Sequence, residues 1–361
     1  KQFDSATDLI TFTRASGGTA LRKVSYGSEL VTNGDFATNS DWTLGDGWTI
    51  SGGVAVGTNT FRELVSNTTT IISGRTYIVT FEITSYTVGR VKAKVGGTLG
   101  TYRDSVGVYT EIIVATNTDN ARIVRSDLNF TGSIDNVSVK EVLIDQADGT
   151  LQLFNHGNNL PRIEYDATGA VKGLLIEEAR TNLLTYSQDF SYTTANGSTR
   201  YYNVATAPDG TQTADQMVED TTTSSNHRLY FSGSVVSAAT YTFSVFAKSS
   251  NRNLTLLAGS GFGEDGASFD LSNGVVLGSA LGGEGVIQDV GNGWYRCSLV
   301  ATNAASNTNV SWQMIMLDGN QRNYTGDGSS SISLWGAQAE AGSFPTSYIP
   351  TSGSTATRAA D

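Results

Sequence analysis

The stretch LLIEEARTNLLTYSQDF (174–190) decides the reading of this chain. It joins apolar residues, two adjacent carboxylates and an arginine, then breaks into Thr, Asn, Ser and Gln. Glu177 and Glu178 are either a catalytic pair or part of a structural joint. On an extended backbone, neighbouring side chains point to opposite faces, so the two cannot converge on one glycosidic bond. Arg180 shares a face with Glu178, which predicts a salt bridge or turn lock. The stretch reads as a joint, and its second half opens a repeat.

ELVTNGDF (29–36) matches NLLTYSQDF (182–190), and TYIVTFEITS (76–85) matches TYTFSVFAKS (240–249). VATN occurs at 114–117 and again at 300–303, and NFTGSI (129–134) matches NYTGDGSSSI (323–332). Four landmarks in the same order twice predict two copies of one unit. In the first copy Tyr77, Val79, Phe81 and Ile83 alternate with polar residues, as do Tyr241, Phe243 and Val245 in the second. That period places one face in a core and the other toward solvent. Ser272-Asn273-Gly274 and Asn292-Gly293 supply hairpin turns, since Asn-Gly suits the left-handed backbone of tight turns.

The expected fold is all-β: two tandem jelly-roll-type β-sandwiches, of the galactose-binding or concanavalin-like kind, with a short β connector. The first sandwich spans 28–143 and the second 182–350. Residues 144–181, which include DGTLQLF and PRIEYDATGAVKGLL, form the connector. Residues 1–27 are an extended segment that packs with it, and 351–361 are a C-terminal linker. The first sandwich is then an insertion whose ends lie close together, the arrangement that makes insertion tolerable.

Composition agrees. Charged residues make up only 16%, Gly reaches 40 and Pro 4, which favours short strands and tight turns over helices. Tyr 15, Phe 14 and Trp 5 supply core material and argue against disorder. A net charge of −11 without any Lys/Arg run disfavours nucleic acid and anionic membrane surfaces as partners. No apolar run is long enough to cross a bilayer. Cys297 is the only cysteine, which excludes an intrachain disulfide and a cysteine-rich zinc site. His156 and His227 are far apart in sequence, and no G-x-S-x-G, P-loop or H-E-x-x-H motif occurs. The chain opens at Lys1 without an initiator Met, as a processed or truncated form would. No enzymatic activity is expected.

ITFTRASGGTAL (10–21), PRIEYDATGAVKGLLIEEARTNLLTYSQDF (161–190) and WGAQAEAGSFPTSYIPTSGSTATRAAD (335–361) together resemble a module of tailed-bacteriophage structural proteins, among them tail fibres and other virion-surface appendages. In that module the TRAS segment runs on quickly to EEARTNLL, so residues 28–143 look inserted. The inserted part, NGDF…W…IDNVSV, resembles carbohydrate-binding modules of bacterial glycanases. In that family a calcium ion sits between an acidic residue after the NGDF phenylalanine and an aspartate of the closing strand. Here Ala37 holds the first position and Asp135 the second, and Ser333 stands for Asp135 in the second copy. No cofactor or metal is expected.

The resemblance implies a virion structural protein, exposed on the particle surface, that contacts other virion proteins, forms a homo-oligomer (a trimer) and binds host-surface polysaccharide. Two other readings are the non-catalytic carbohydrate-binding part of a secreted glycanase or depolymerase, and an architectural capsid-decoration or filament subunit without ligand. Among the tryptophans, Trp48, Trp294, Trp312 and Trp335 read as core, each starting or lying within an alternating strand. Trp42, in the polar run NSDWTLGDG, is the candidate for an exposed sugar-stacking ring. His227 reads as a surface residue, and LAGSGFGEDG (257–266) as a flexible loop.

Overall fold

The two Thr-Tyr strands organise the molecule. In the computed structural model, which describes residues 13–125, 129–159, 161–166, 168–280, 282–303 and 308–361, they are Thr76–Val88 and Thr240–Ser249. Tyr77 and Tyr241 are both buried, and each phenolic oxygen accepts a backbone N–H from five residues upstream: Ile72 at 2.9 Å and Val236 at 2.8 Å. The same local lock therefore starts the same strand in both copies. Each strand has the VATN strand on one side, with Tyr77 opposite Ile113 and Tyr241 opposite Ala301. On the other side lies the closing strand, with Tyr77 opposite Glu141 and Tyr241 opposite Ala341.

The chain divides into two compact units. Of the described residues, one unit comprises those within 24–149 with 210–212, and the other those within 13–23, 150–209 and 213–361. In the smaller unit one sheet runs Val54–Thr60, Phe130–Ile144, Thr76–Val88, Gly107–Val114. Facing it, the second sheet runs Leu64–Ser66, Arg122–Arg125, Val91–Val95, Thr98–Leu99, with Trp42–Leu44 added beyond Leu64–Ser66. In the larger unit the first sheet contains, in order, Ala214–Glu219, Ser331–Ala341, Thr240–Ser249 and Trp294–Thr302. The second contains Arg228–Ser234, Asn309–Leu317, Asn253–Ser260 and Asp265–Asp270. Numbered in chain order, both sets of eight strands have the same sheet orders, 1-8-3-6 and 2-7-4-5. This is the jelly-roll arrangement, in which successive strands largely cross from sheet to sheet. The larger copy adds two strands between its fifth and sixth, Val275–Ala280 at the edge of the second sheet beside Asp265–Asp270 and Glu284–Gly291 at the edge of the first beside Trp294–Thr302.

Each sandwich has its own core. Phe36, Trp48, Phe81 and Phe130 fill the smaller one, while Phe190, Phe243, Trp312 and Met314 fill the larger. Phe36 and Phe190 come from the matched NGDF and SQDF strings. The ends of the smaller unit meet in its own sheet, where Val24 pairs with Ile144. Its limits fall a few residues outside the expected 28–143.

The C-terminal segment is not a linker. Ala356–Arg358 pairs with Arg180–Asn182, Arg358 is buried, and the Asp361 side chain is fully enclosed. The reason is an ion network within the larger unit, built from the strings that carry the family resemblance. Arg14 donates to Asp361 Oδ1 at 2.8 Å, to the carbonyl of Ser16 at 2.6 Å and to that of Gly157 at 2.9 Å. Arg162 is paired with Asp361 through one arm and with Glu177 at 2.9 Å through the other. Arg358 lies 3.4 Å from Glu177 and donates to the carbonyl of Glu178 at 2.8 Å. Glu177 also accepts the N–H and hydroxyl of Ser347, and its own N–H donates to Asp361 at 2.9 Å. Gly18 passes so close that a Cβ there would sit 3.0 Å from Arg162 Nη1 and 3.3 Å from Arg358 Cδ, which favours glycine at the second position after TRAS. Residues 150–181 of the connector are thus part of the larger unit, together with residues 13–23, while 144–149 belong to the smaller one. Residues 1–12 of the expected N-terminal segment lie outside the described residues. The Asp166 turn, whose carboxylate accepts the N–H groups of Thr168 and Ala170, closes the Ile163–Tyr165/Val171–Leu174 hairpin.

Burial alone would raise the Asp361 carboxyl, but the Arg14 and Arg162 guanidiniums and the Glu177 N–H hold it below its ordinary 3.8. A depressed carboxylate contributes stability above its unfolded value that is lost as pH falls through the folded value. Asp361→Ala should therefore lower stability by about 3–5 kcal/mol at pH 7, because it leaves buried guanidiniums uncompensated. Thermal melts should show a loss on the order of 10 °C for a unit of this size. The gap from the parent should narrow only below about pH 4.

Candidate functional site

The second sheet of the larger sandwich turns Leu229, Phe231, Trp312, Met314, Leu256 and Ala258 into the core. Alternation then obliges Arg228, Tyr230, Ser232, Ser311, Gln313 and Gly259 to face outward. Cross-strand register sets them in rows: Tyr230 opposite Gln313 opposite Leu257, and Ser232 opposite Ser311 opposite Gly259. Two adjoining hollows, of about 460 and 170 Å³, share Arg228 and Gln313 as lining residues. Together they make a groove across the sheet.

A hydrogen-bond chain fixes the groove floor. Arg228 Nη1 donates to Gln313 Oε1 at 2.8 Å, and Gln313 Nε2 donates to Ser311 Oγ at 3.0 Å. The guanidinium carbon lies 5.6 Å from the centre of the Tyr230 ring. Among the described residues no carboxylate comes within ion-pair distance of Arg228, although Glu264 lines the smaller hollow, and the Arg228 Nε is buried without a protein acceptor. An oriented guanidinium, a primary amide, hydroxyls and a phenol ring can hydrogen-bond a hydroxyl-rich ligand, and the guanidinium matches a carboxylate bidentately. Gly259 keeps the floor open, since a Cβ there would lie 2.5 Å from Ser311 Oγ and 2.6 Å from Gln313 Nε2.

The residues singled out by sequence fall elsewhere. Trp42 is only 8% exposed. Its indole N–H donates to the Asn33 carbonyl at 2.9 Å and its ring packs 5.0 Å from Phe36. Asp41, at φ +66°, turns the chain so that the ring enters the core, and Trp42 is no sugar platform. The other four tryptophans are core residues as well. His227 is fully buried, not a surface residue: its Nδ1 donates to the Gly197 carbonyl at 2.5 Å and its ring packs on Tyr324. His156 is buried beside Arg22, and burial first, then that charge, lowers its pKa to about 4. LAGSGFGEDG is no flexible loop but the end of one strand, a tight turn and the start of the next.

Glu177 and Glu178 separate as their alternation demands. Glu177 enters the buried ion network, and Glu178 pairs with Arg180 at 2.5 Å on the surface. Asp135 is hydrogen-bonded by the Asn136 N–H at 2.7 Å. Burial, opposed by that bond and reinforced by Glu82 and Asp35, raises its pKa. Ala37 offers no side-chain ligand beside it, and among the described residues no group of three or more His, Cys, Asp or Glu is placed to hold a metal. The groove residues were missed, although SWQMIML carries the signal: the face opposite Trp312, Met314 and Met316 is Ser311, Gln313 and Ile315.

No protein-family model matches this chain, and no curated protein matches it. Among solved structures, the N-terminal CBM22-1–CBM22-2 tandem domain of Xyn10C from Paenibacillus barcinonensis aligns over 89% of this chain and 99% of its own, at 9% identity and a TM-score of 0.29. An anti-sigma factor domain-containing protein aligns over 96% of this chain and 99% of its own, at 10% identity and a TM-score of 0.18. Scores this low support neither a shared fold nor a shared function.

Gly259→Ala tests the groove floor. The atoms a Cβ meets are the ends of two side chains, so the variant should fold with a stability change within about 1 kcal/mol. In amide NMR spectra the Gln313 side-chain resonances should shift strongly while the core signals stay in place.

Proposed function

We propose that this chain is a non-enzymatic subunit of a tailed-bacteriophage surface appendage, displayed on the outside of the virion, and that its larger sandwich binds host-surface polysaccharide in the Arg228 groove. The observation that carries the binding role is the guanidinium of Arg228, held by Gln313 and, among the described residues, without a carboxylate in ion-pair distance, in a groove whose smaller hollow is also lined by Glu264 and Arg322. In a chain of net charge −11, such a cation favours a saccharide bearing carboxylates over a neutral one. Sugar hydroxyls would be met by Ser311, Ser232 and the Gln313 amide, and a pyranose face by Tyr230. A rigid sheet face suits this task because its side chains are already oriented before the ligand arrives.

The virion assignment is supported by the meeting of the resembling strings. TRAS, PRIEY, IEEAR and TRAAD contribute Arg14, Arg162, Glu177, Arg358 and Asp361 to one buried network. Their joint presence is thereby explained as one structural unit. A trimer is supported by exposed apolar residues on edge strands, Val275, Val276 and Leu277 on one and Val286 on another, which a second copy would cover.

A glycan array containing uronate-bearing and neutral polysaccharides tests the binding role. Acidic polysaccharide should be retained by the parent and lost at least tenfold in Arg228→Met, with weakening as salt rises. Retention unchanged in Arg228→Met would overturn the groove. Antibody labelling of purified particles tests the location, and light scattering of the chain at micromolar concentration tests the trimer.

A further inference from the structure

A second hollow in the larger unit has the opposite character. It measures about 430 Å³ and follows the SQDF string, between the 186–192 segment, Tyr202-Asn203 and Asp215. At its rim the rings of Tyr186 and Tyr192 stack at 3.5 Å, with planes within 2°. Tyr192 is 57% exposed and Tyr202 45% exposed, so both rings are held at the surface without cover.

Asp215 forms the depth of the hollow and is only 3% exposed. Its two oxygens accept one backbone N–H each, from Asn203 at 2.8 Å and Phe190 at 3.1 Å. No cationic side chain among the described residues lies within ion-pair distance of it. The nearest cation acting on it, Arg200, spends its hydrogen bonds on the carbonyls of Phe190, Ser191 and Thr193. Other buried carboxylates of the same unit are treated differently. Glu219 takes both arms of Arg252, the Tyr324 hydroxyl and the Asp327 N–H. Glu340 takes the N–H and hydroxyl of Thr346 and the Gln338 amide. A carboxylate has room for about four hydrogen bonds, so Asp215 keeps acceptor capacity that these two have used. Keeping a carboxylate buried with so few partners is unfavourable, and burial accordingly raises its pKa to about 6. Asp189, exposed at the rim, adds a second negative charge.

We propose that this hollow is a second saccharide site, selective for neutral sugars. Sugar hydroxyls donate to the open acceptor positions of Asp215, and the C–H face of the pyranose lies on the Tyr202 ring. Among the described residues no Lys, Arg or His lines the hollow, and two carboxylates do, so a uronate or sulfated sugar is repelled. A purely apolar ligand would strip water from the carboxylate without replacing its hydrogen bonds. The volume fits a mono- or disaccharide. The inference does not depend on the Arg228 groove, which has the opposite charge preference.

Saturation-transfer NMR on the full chain is the test, with N-acetylglucosamine, methyl galactoside, methyl glucoside and their disaccharides as neutral probes and glucuronate as the acidic one. At least one neutral sugar should bind, with affinity reduced tenfold or more in both Asp215→Asn and Tyr202→Ala and unchanged in Arg228→Met. Asp215→Asn should melt no lower than the parent at pH 7.5, because it removes an unpaired buried charge. If Asp215→Asn fails to fold, Tyr202→Ala, altered only at an exposed ring, decides alone. Absence of any neutral-sugar signal at millimolar concentration, binding that survives Tyr202→Ala, or equal competition by glucuronate for the same site would overturn the proposal.

Discussion

The contact on which the larger unit depends is Arg162 between Asp361 and Glu177. It is buried, it lies between two carboxylates, and those carboxylates come from segments far apart in the chain. Through Arg14 and Arg358 the same cluster ties residues 14–16, 157, 177–178 and 358–361 into one piece. Three guanidiniums share two carboxylates, so removing either carboxylate leaves positive charge buried without compensation. Hydrogen bonds to the Ser16, Thr19 and Gly157 carbonyls and to Ser347 complete the shell. Such a cluster tolerates only one register of the participating strands. It thereby specifies how the final strand, Ala356–Arg358, pairs with Arg180–Asn182.

That constraint accounts for the division of labour along the chain. The jelly-roll cores are apolar and could be filled by many sequences of the right period. The ion network is chemically exacting, which is why its strings stand out as unusual in an otherwise Thr-, Ser- and Gly-rich sequence. It also leaves the outer sheet face free of structural duty. Arg228, Gln313 and Ser311 bond one another without anchoring any distant segment, and a surface of that kind can change its ligand without changing its fold.

Local periodicity made the repeat legible. Tyr77 and Tyr241 head alternating strands, and the bond from each phenol to the N–H five residues upstream shows that the resemblance extends to single atoms. Alternation also separated Glu177 from Glu178 correctly. What it does not encode is a turn that redirects one residue. Trp42 sits in a polar run, yet the left-handed backbone at Asp41 and the Asn33 carbonyl draw it inward. His227 is enclosed by Gly197 and Tyr324, partners 30 and 97 positions away, which no window of the sequence reveals. The C-terminal segment looked like a linker because it has few apolar residues. It is ordered by charge rather than by hydrophobic burial. The groove was half visible, since the outward face of SWQMIML follows from its inward one. The Asp215 hollow was not visible, because Asp189 and Asp215 are brought together only by the sandwich.

Hydrogen exchange at the backbone amides of Glu177, Ser347 and Asp361 tests the central claim most directly. These amides bond to Asp361, Glu177 and the Glu177 carbonyl inside the network. If the network closes the unit, they should exchange only with its global unfolding, at the same rate as the core amides of Thr240–Ser249. Exchange of Asp361 and Ser347 within seconds, while the core stays protected, would show that the terminal segment opens independently and would contradict the account.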